Sequence, residues 1–305
     1  MIVQNPFKPR GLLKDLLKEA TIEARYRIDP LVGHSYILRK TAKRLGYEPD
    51  LQNPKTYNEK ILWRKLRDRR AVLTTVSDKI AVRDFVAERL KDHDFEALFP
   101  KLYATASDPA QIDFATLPDT YVVKSNYGSG RNILVTPDDP VDVPKLLEQA
   151  RLWQRRSYGK TKFEWAYQSI KRQIMVEELI SDASGRVADD IKFAVFDGKC
   201  EFIVYCDDRF GDYCWHHLTP RWDRLFSTPP SATERPLPPK PNGFDEMLKM
   251  AERLCEGIDY FRVDFMITPT RFVLNEITLY DASGMDPLDP PIWDNRFGEF
   301  WTLPS

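Results

Sequence analysis

Apolar residues recur at helical spacing near the start of this chain and at strand spacing through much of the rest. Over residues 11–45, Leu12, Leu13, Leu16 and Leu17 form an apolar stripe among charges, which predicts helix. Asn53-Pro-Lys-Thr56 reads as a turn, and helix resumes over 58–66. The most regular helical pattern is 77–90, with Ser77 as N-cap and Val82, Phe85, Val86 and Leu90 at helical spacing. Strand signals follow at 98–103, 121–124, 133–135 and 174–178. Two more, 191–196 and 201–205, are joined by the turn Asp197-Gly198. The stretch 227–243 is rich in proline and reads as a loop, and 244–256 is an amphipathic helix. Hairpins interspersed with helices predict an α+β fold with mainly antiparallel sheets.

The last pair of strand signals carries candidate chemistry. Phe261-Arg-Val-Asp-Phe-Met-Ile267 and Phe272-Val-Leu-Asn-Glu-Ile-Thr278 flank a Pro-containing break, which predicts a β-hairpin. Side chains alternate faces, so Arg262 and Asp264 share one face, and Glu276 shares one with Thr278. A turn across 268–271 brings Asp264 nearly opposite Glu276. Facing carboxylates need a neutraliser, and hard oxygen donors suit Mg²⁺. The competing reading is a solvated, salt-bridged sheet face on which Arg262 balances one carboxylate.

Composition narrows the class of protein. The 305 residues are 42% hydrophobic and 30% charged, as in ordinary soluble globular proteins. No run approaches the ~18–20 apolar residues of a membrane span. The N-terminus lacks the apolar core of a signal peptide, so the chain reads as cytoplasmic. Cys200, Cys206, Cys214 and Cys255 lack zinc-type spacing and read as buried thiols. Residues 1–70 hold 17 Lys/Arg against 8 Asp/Glu, a net of +9 that leaves −10 for the remainder. Such a basic end fits an anionic partner, including the inner face of a membrane, or a solvated helical face meeting an acidic body. No nucleic-acid motif accompanies the charge, so nucleic acid is not expected as a partner.

Further candidates lie upstream. Tyr121-Val-Val-Lys124-Ser-Asn-Tyr-Gly-Ser-Gly-Arg-Asn132 is a strand, a small polar loop and the start of a second strand. Gly128 and Gly130 let the backbone approach a ligand, and Lys124 is placed to set a charge against a phosphate. A plain hairpin is the alternative. Lys79, in the expected first turn of its helix, is disfavoured by the helix dipole unless an anion faces it or its side chain points to water. Glu177 and Glu178 end an apolar strand and offer acceptors for an exocyclic amine, or a charged terminus. The aromatic run 209–222 suits stacking on sugar rings or packing as an insertion. Adjacent His216 and His217 point to different sides.

Taken in order, these stretches resemble the ATP-grasp superfamily. They are Asp78-Lys79, Lys124 with its glycine loop, Val-Glu-Glu-Leu-Ile (176–180), and Arg262-Val-Asp264 with Asn275-Glu-Ile-Thr278. More closely, the chain resembles the teichuronopeptide-biosynthesis (TupA-like) branch, through Asn53-Pro-Lys-Thr-Tyr-Asn-Glu-Lys60, Ser77-Asp-Lys-Ile-Ala-Val-Arg83, Asp190-Ile-Lys-Phe193 and Asp208-Arg-Phe210. The resemblance spans roughly residues 50–300. It implies two α+β subdomains clasping ATP between mainly antiparallel sheets. The expected division is a helical basic region over 1–70 and a catalytic domain over 71–305, with a nucleotide-clasping lid at about 118–178.

The resemblance also implies roles. Lys79 and Lys124 contact the ATP phosphates beneath a flap that includes Ser125, Gly128, Ser129, Gly130 and Arg131. Glu177, with the backbone of Glu178 and Leu179, holds adenine, and Asp190 and Lys192 lie on the ribose or phosphate side. Asp264, Glu276 and Thr278 ligate Mg²⁺, and Arg262 steadies the transferring phosphoryl group. Ser283 and Gly284 contact the acceptor. Thr278 stands where the superfamily has asparagine, which leaves the number of metals open. The implied activity is an ATP- and Mg²⁺-dependent ligase joining a carboxylate to an amine through an acyl phosphate, in cell-surface polysaccharide biosynthesis. A kinase of the same fold acting on a sugar hydroxyl is the alternative. Phosphoryl transfer needs positioning and charge neutralisation more than covalent chemistry, which these residue types supply.

Overall fold

A computed structural model describes residues 2–3, 12–207, 214–229 and 235–304. The Asp208-Arg-Phe210 stretch, the first part of the aromatic run, a few residues of the proline-rich loop and most of the first eleven residues lie outside that description. The chain divides into two compact units, one of residues 1–38, 69–80 and 100–179, the other of residues 39–68, 81–99 and 180–305.

In unit 1 a five-stranded antiparallel sheet is built from β1 (Ile2–Val3), β2 (Leu102–Ala106), β3 (Tyr121–Ser125), β4 (Asn132–Val135) and β5 (Ile174–Glu177). The spatial order is β1-β4-β3-β5-β2. Helix α7 (Val143–Arg155) covers it through Leu146, Ala150 and Trp153, which repeat every three to four residues and pack on Val123, Ile133 and Val176. Asp142 caps this helix by accepting from the Lys145 N–H at 3.2 Å. The predicted helix over 11–45 is two helices, α1 (Leu12–Ile28) and α2 (Ser35–Leu45). Pro30, in the 3-10 turn Asp29–Val32, and Gly33 at φ +67° separate them.

The helix expected over 77–90 is also interrupted: α4 (Ala71–Ser77) ends where the N-cap was expected, and α5 begins at Ala81 (Ala81–Arg89). The cause is local. Asp78 Oδ1 accepts the Ile80 N–H at 2.9 Å, an Asx turn that competes with helical pairing. Ser77 Oγ donates back to the Leu73 carbonyl at 2.8 Å instead of capping forward.

Unit 2 holds a six-stranded antiparallel sheet in the order β11-β10-β6-β7-β8-β9. Its strands are β6 (Asp189–Phe196), β7 (Lys199–Asp207), β8 (Cys214–Leu218), β9 (Arg224–Thr228), β10 (Phe261–Ile267) and β11 (Phe272–Thr278). Helix α8 (Phe244–Leu254) packs on one face, where Phe244 meets Phe193 at 5.7 Å between ring centroids. On the other face stand α3 (Tyr57–Arg67) and α9 (Ile292–Glu299), bringing Tyr57 edge-on to Phe202 and stacking Phe297 on Phe202 at 3.7 Å. A capping box starts α3: Thr56 accepts from the Glu59 N–H, and the Glu59 carboxylate accepts the Thr56 N–H at 2.9 Å. Buried Arg64 anchors the helix, donating to the Tyr260 carbonyl at 2.8 Å and the Asp259 carboxylate at 2.5 Å. The face between these helices and the strand rims is where the candidate residues of this unit gather.

Candidate active site

In unit 1 the candidate residues sit at the ends of β3 and β5. Lys124 pairs in register with Met175 and Asn132, and its ammonium forms an ion pair with the Glu177 carboxylate. Both side chains are largely buried. The loop after Lys124 is tied down on both sides of Gly128. Ser125 Oγ donates to the Tyr127 carbonyl at 2.6 Å, and Ser129 donates its N–H to the Tyr158 hydroxyl at 2.9 Å. Gly128 sits at φ +76° with the Tyr158 ring so close that a Cβ would lie 2.6 Å from it. Gly130 also adopts positive φ.

Lys79 is not in a helix turn; its N–H donates to the Asn126 carbonyl at 2.7 Å and its ammonium to the Gly128 carbonyl at 2.5 Å. Lys79 and the glycine loop are thus brought together by short bonds, held by Asp78, which accepts from Asn126 Nδ2 at 2.8 Å. Glu178 donates its N–H to the Lys101 carbonyl at 2.9 Å and accepts the Lys101 N–H at 3.1 Å. Leu179 closes unit 1.

In unit 2 the hairpin forms with Asp264 opposite Glu276, as expected, and Arg262 opposite Thr278, across a bulge at the Asp264–Phe265 step that the turn does not dictate. Continuing across the sheet, Asp264 faces Lys192, Lys192 faces Val204, Val204 faces His217 and His217 faces Phe226. Directly paired residues share a face, so one row runs Glu276, Asp264, Lys192, Val204, His217, Phe226 from edge to edge. The row changes from charged to aromatic along its length. Asp190 and Trp215 lie one step along on the same face.

The charged end is a network buried in the sheet face, not a solvated ion-pair surface. Arg262 donates to both oxygens of Asp264, from Nε at 2.8 Å and Nη2 at 2.7 Å, a two-pronged fit that fixes the carboxylate plane. Lys192 reaches Asp264 at 3.3 Å, Arg262 also pairs with Asp281, and Thr278 Oγ1 accepts from Arg262 at 3.2 Å. Burial works against the Asp264 charge, but Arg262 and Lys192 outweigh it and hold the carboxyl below its usual range. Burial likewise opposes the Lys192 ammonium, and Asp264 with Asp190 keeps it charged. Among the described residues no set of three or more His, Cys, Asp or Glu is assembled to hold a metal. Asp264 and Glu276 face each other with Thr278 further along the same hairpin, and Arg262 occupies both Asp264 oxygens, so these residues could offer a metal only part of its ligands. Mg²⁺ takes one or two carboxylates and draws the rest from water and phosphate; a fully protein-caged ion does not fit.

Ser283 and Gly284 face α3. Ser283 is buried, and its carbonyl and Oγ accept from the Lys65 ammonium at 2.6 and 3.1 Å. A Cβ on Gly284 would meet the Asn58 carbonyl at 2.7 Å. Their neighbours Asp281 and Ala282 instead line a cavity of about 620 Å³ in unit 2. Lys192, Arg262, Val204, Trp215 and His217 also line it, with Tyr57 and the segment Asp286–Asp289 on other sides.

Sequence reasoning did not single out Asp281, and it offered Trp215 and His217 only as part of the aromatic run 209–222. The signal available was the alternation of Trp215 and His217, which put both on one face once this stretch is known to be a strand. His217 stacks on Phe226 at 4.0 Å, and its buried Nδ1 makes no hydrogen bond among the described residues. Adjacent His216 turns to the opposite face, with Nδ1 2.9 Å from Ser227 Oγ. Burial pushes the His217 imidazole down from 6.5 to about 4, so it is neutral at pH 7. A depressed folded value means that this contribution to stability is intact above about pH 6.5 and is lost as pH falls toward 4. The loss is roughly 3 kcal/mol. Denaturant melts from pH 7 to 4 should show it, and His217→Gln should flatten the curve in that window. An unchanged slope in the variant contradicts the assignment.

The family model described as TupA-like ATPgrasp matches residues 59–302, about four-fifths of the chain. No curated protein matches it. Among solved structures, D-alanine–D-alanine ligase from Bacillus anthracis complexed with ATP is similar at 17% identity and TM-score 0.40, covering 74% of this chain and 68% of that one. The ATP-grasp ligase PsnB complexed with a minimal precursor is similar at 11% identity and TM-score 0.37. The match covers 68% of this chain, which spans 54% of the PsnB chain. N5-carboxyaminoimidazole ribonucleotide synthetase from Thermus thermophilus is similar at 11% identity and TM-score 0.40, covering 67% of this chain and 45% of that one. At these values the structural likenesses are partial, and the assignment rests on the family match. The chain belongs to the TupA-like ATP-grasp family, with the α+β fold that the family name denotes.

Proposed function

We propose that this protein is an ATP- and Mg²⁺-dependent carboxylate–amine ligase that forms an amide through an acyl phosphate, on a sugar-ring-bearing acceptor of cell-surface polysaccharide biosynthesis. The observation that carries this reading is that Lys192 and Arg262 belong both to the charged network and to the wall of the 620 Å³ cavity. A carboxylate held there meets two cations where a phosphoryl group would arrive. The rest of the wall suits a ring: Trp215 offers an apolar face, and the neutral His217 ring lines the wall beside it.

The remaining residues take supporting roles. Lys79 and Lys124 bind phosphates, with Ser125, Gly128, Ser129 and Gly130 folding over them and Tyr158 holding that loop. Glu177 accepts from the adenine amine, and because the Glu178 N–H pairs with Lys101, the backbone contacts there fall to its carbonyl and to Leu179. Asp190 and Lys192 steady the ribose or phosphate side. Asp264, Glu276 and Thr278 hold Mg²⁺, which when bound neutralises phosphate charge. Arg262, fixed by its grip on Asp264, stabilises charge on the transferring phosphoryl group. The Asp264 carboxylate stays ionised for this work because Arg262 and Lys192 flank it. Ser283 and Gly284 clamp the loop that presents Asp281 and Ala282 to the acceptor. Residues 118–178 act as the nucleotide-clasping lid; α3, within the expected basic region 1–70, belongs to the catalytic part through Tyr57 and Lys65, and the basic stretch before it brings the protein to the inner face of the membrane.

The test supplies purified protein with ATP, Mg²⁺, uronic acids or uronic-acid glycans, and amino acids. ADP and free phosphate should appear in equal amounts only when carboxylate and amine are both present. No ADP from any pair, or phosphate retained on the acceptor as a kinase would leave it, contradicts the reading.

A further inference from the structure

Helix α1 is amphipathic in the unexpected sense. On a helical projection Leu13, Leu16, Leu17, Ala20, Thr21, Ala24 and Ile28 fall on one side, all exposed. The leucines are 58–71% exposed, and Leu31 and Val32, just beyond the helix, are 83% and 56% exposed. The acidic residues lie on the other side and hold the helix to unit 1. Asp15 bonds Arg156 at 2.8 Å, Glu19 accepts the Ser157 N–H at 2.9 Å, and Glu23 pairs with Lys160. Tyr26 packs on Phe163 at 5.3 Å on the same inward side.

The outward half therefore carries apolar, small and basic side chains; Arg27 lies within the stripe beside Leu16 and Ala20, and it pairs at 2.6 Å with Glu23 at the stripe's border. Lys14, Lys18 and Arg25 fall together along one flank of the stripe, and no carboxylate accompanies them. At 17 residues the helix is about 25 Å long. Among the described residues no helix is long and apolar enough to cross a membrane, so this one suits lying on a surface.

We propose that α1 docks this protein on an anionic lipid bilayer, with Leu13, Leu16 and Leu17 entering the acyl boundary and Lys14, Lys18 and Arg25 meeting the headgroups. The charge pattern favours a bilayer over a second copy of the chain. A twofold pairing of antiparallel helices brings the basic flank against its own copy, with no acid there to balance it. An anionic surface satisfies both the stripe and the flank. Net charge alone gives weaker reasons, because the acids and bases of α1 nearly cancel; it is their segregation to opposite faces that matters. Membrane docking through α1 sharpens the membrane part of the proposal above and stands apart from the ligase reading, since vesicle binding needs neither ATP nor acceptor.

The experiment is cosedimentation of the full chain with vesicles of phosphatidylcholine alone and of phosphatidylcholine with phosphatidylglycerol. Binding should appear with the anionic vesicles and weaken with salt. The triple variant Leu13→Ser, Leu16→Ser, Leu17→Ser should lose roughly tenfold or more in affinity with an unchanged melting temperature, since these side chains are already in water. Lys14→Glu with Lys18→Glu should do likewise. Absence of binding to anionic vesicles overturns the proposal, as does binding that ignores the leucine changes. Concentration-dependent dimerisation that the leucine variant abolishes would assign the stripe to a second copy and overturn it too. ADP release assayed in parallel separates this outcome from any failure of the ligase reading.

Discussion

Arg262→Ala should erase turnover and loosen unit 2 at the same time. The guanidinium serves two carboxylates, Asp264 through a fork and Asp281 from its other arm. Removing the shared cation leaves Asp264, which has no solvent exposure, with Lys192 at 3.3 Å as its remaining ion pair. Truncating one partner of a buried ion pair costs on the order of 3–5 kcal/mol. Thermal melts followed by circular dichroism should show the loss. ADP release per folded molecule should fall by ~10³-fold or more, the scale of an arginine that stabilises phosphoryl charge. Arg262→Lys keeps a charge but not the fork, so it should recover stability more than rate. Glu276→Gln provides the contrast, because Glu276 is only partly buried and keeps its shape. That variant should melt near the wild-type temperature while losing Mg²⁺-dependent activity. A fully active Arg262→Ala protein is incompatible with the site.

The second large effect is expected at Lys124, whose ammonium pairs with the Glu177 carboxylate in unit 1. Lys124→Ala removes an ion-pair partner from a carboxylate that is 6% exposed, and unit 1 should lose stability, by up to about 3–5 kcal/mol. It also removes a phosphate contact worth about 1.5–3 kcal/mol, so ATP should bind ~10–100-fold more weakly. The two consequences separate in the double variant Lys124→Ala, Glu177→Gln. Neutralising the Glu177 carboxylate should restore most of the melting temperature but not the ATP affinity. Restored ATP binding in the double variant would show that Lys124 acts only as the counter-ion of Glu177.

The sequence exposed the hairpin of β10 and β11 well, because strand alternation and a short Pro-containing turn fix register locally. Asp264 opposite Glu276 and Arg262 opposite Thr278 need one more device, a bulge that skips Asn275 between the Phe265–Leu274 and Asp264–Glu276 pairs, and the alternation alone does not show it. Lys79 was misplaced for an equally local reason: the Asx turn at Asp78 overrides a helical periodicity that is otherwise regular. The cavity was not legible. Its floor joins Lys192, Val204 and His217 on three strands, a register set by pairing across the sheet and not by the residues next to each one. Strand β8 was hidden because Trp215 and the two histidines read as an aromatic insertion until pairing with strands on both sides places them in the sheet. The network's depth was hidden as well. Spacing brings Arg262 beside Asp264, but only the cover of neighbouring elements shows that the pair is withdrawn from water.

The most direct measurement follows oxygen from the acceptor carboxylate. With the acceptor that gives turnover labelled with ¹⁸O in its carboxyl group, a ligase acting through an acyl phosphate transfers one labelled oxygen to phosphate for each amide formed. Mass spectrometry of the released phosphate should find that single ¹⁸O, in step with ADP. Unlabelled phosphate, or label retained entirely in an acceptor phosphorylated on a hydroxyl, would contradict the account.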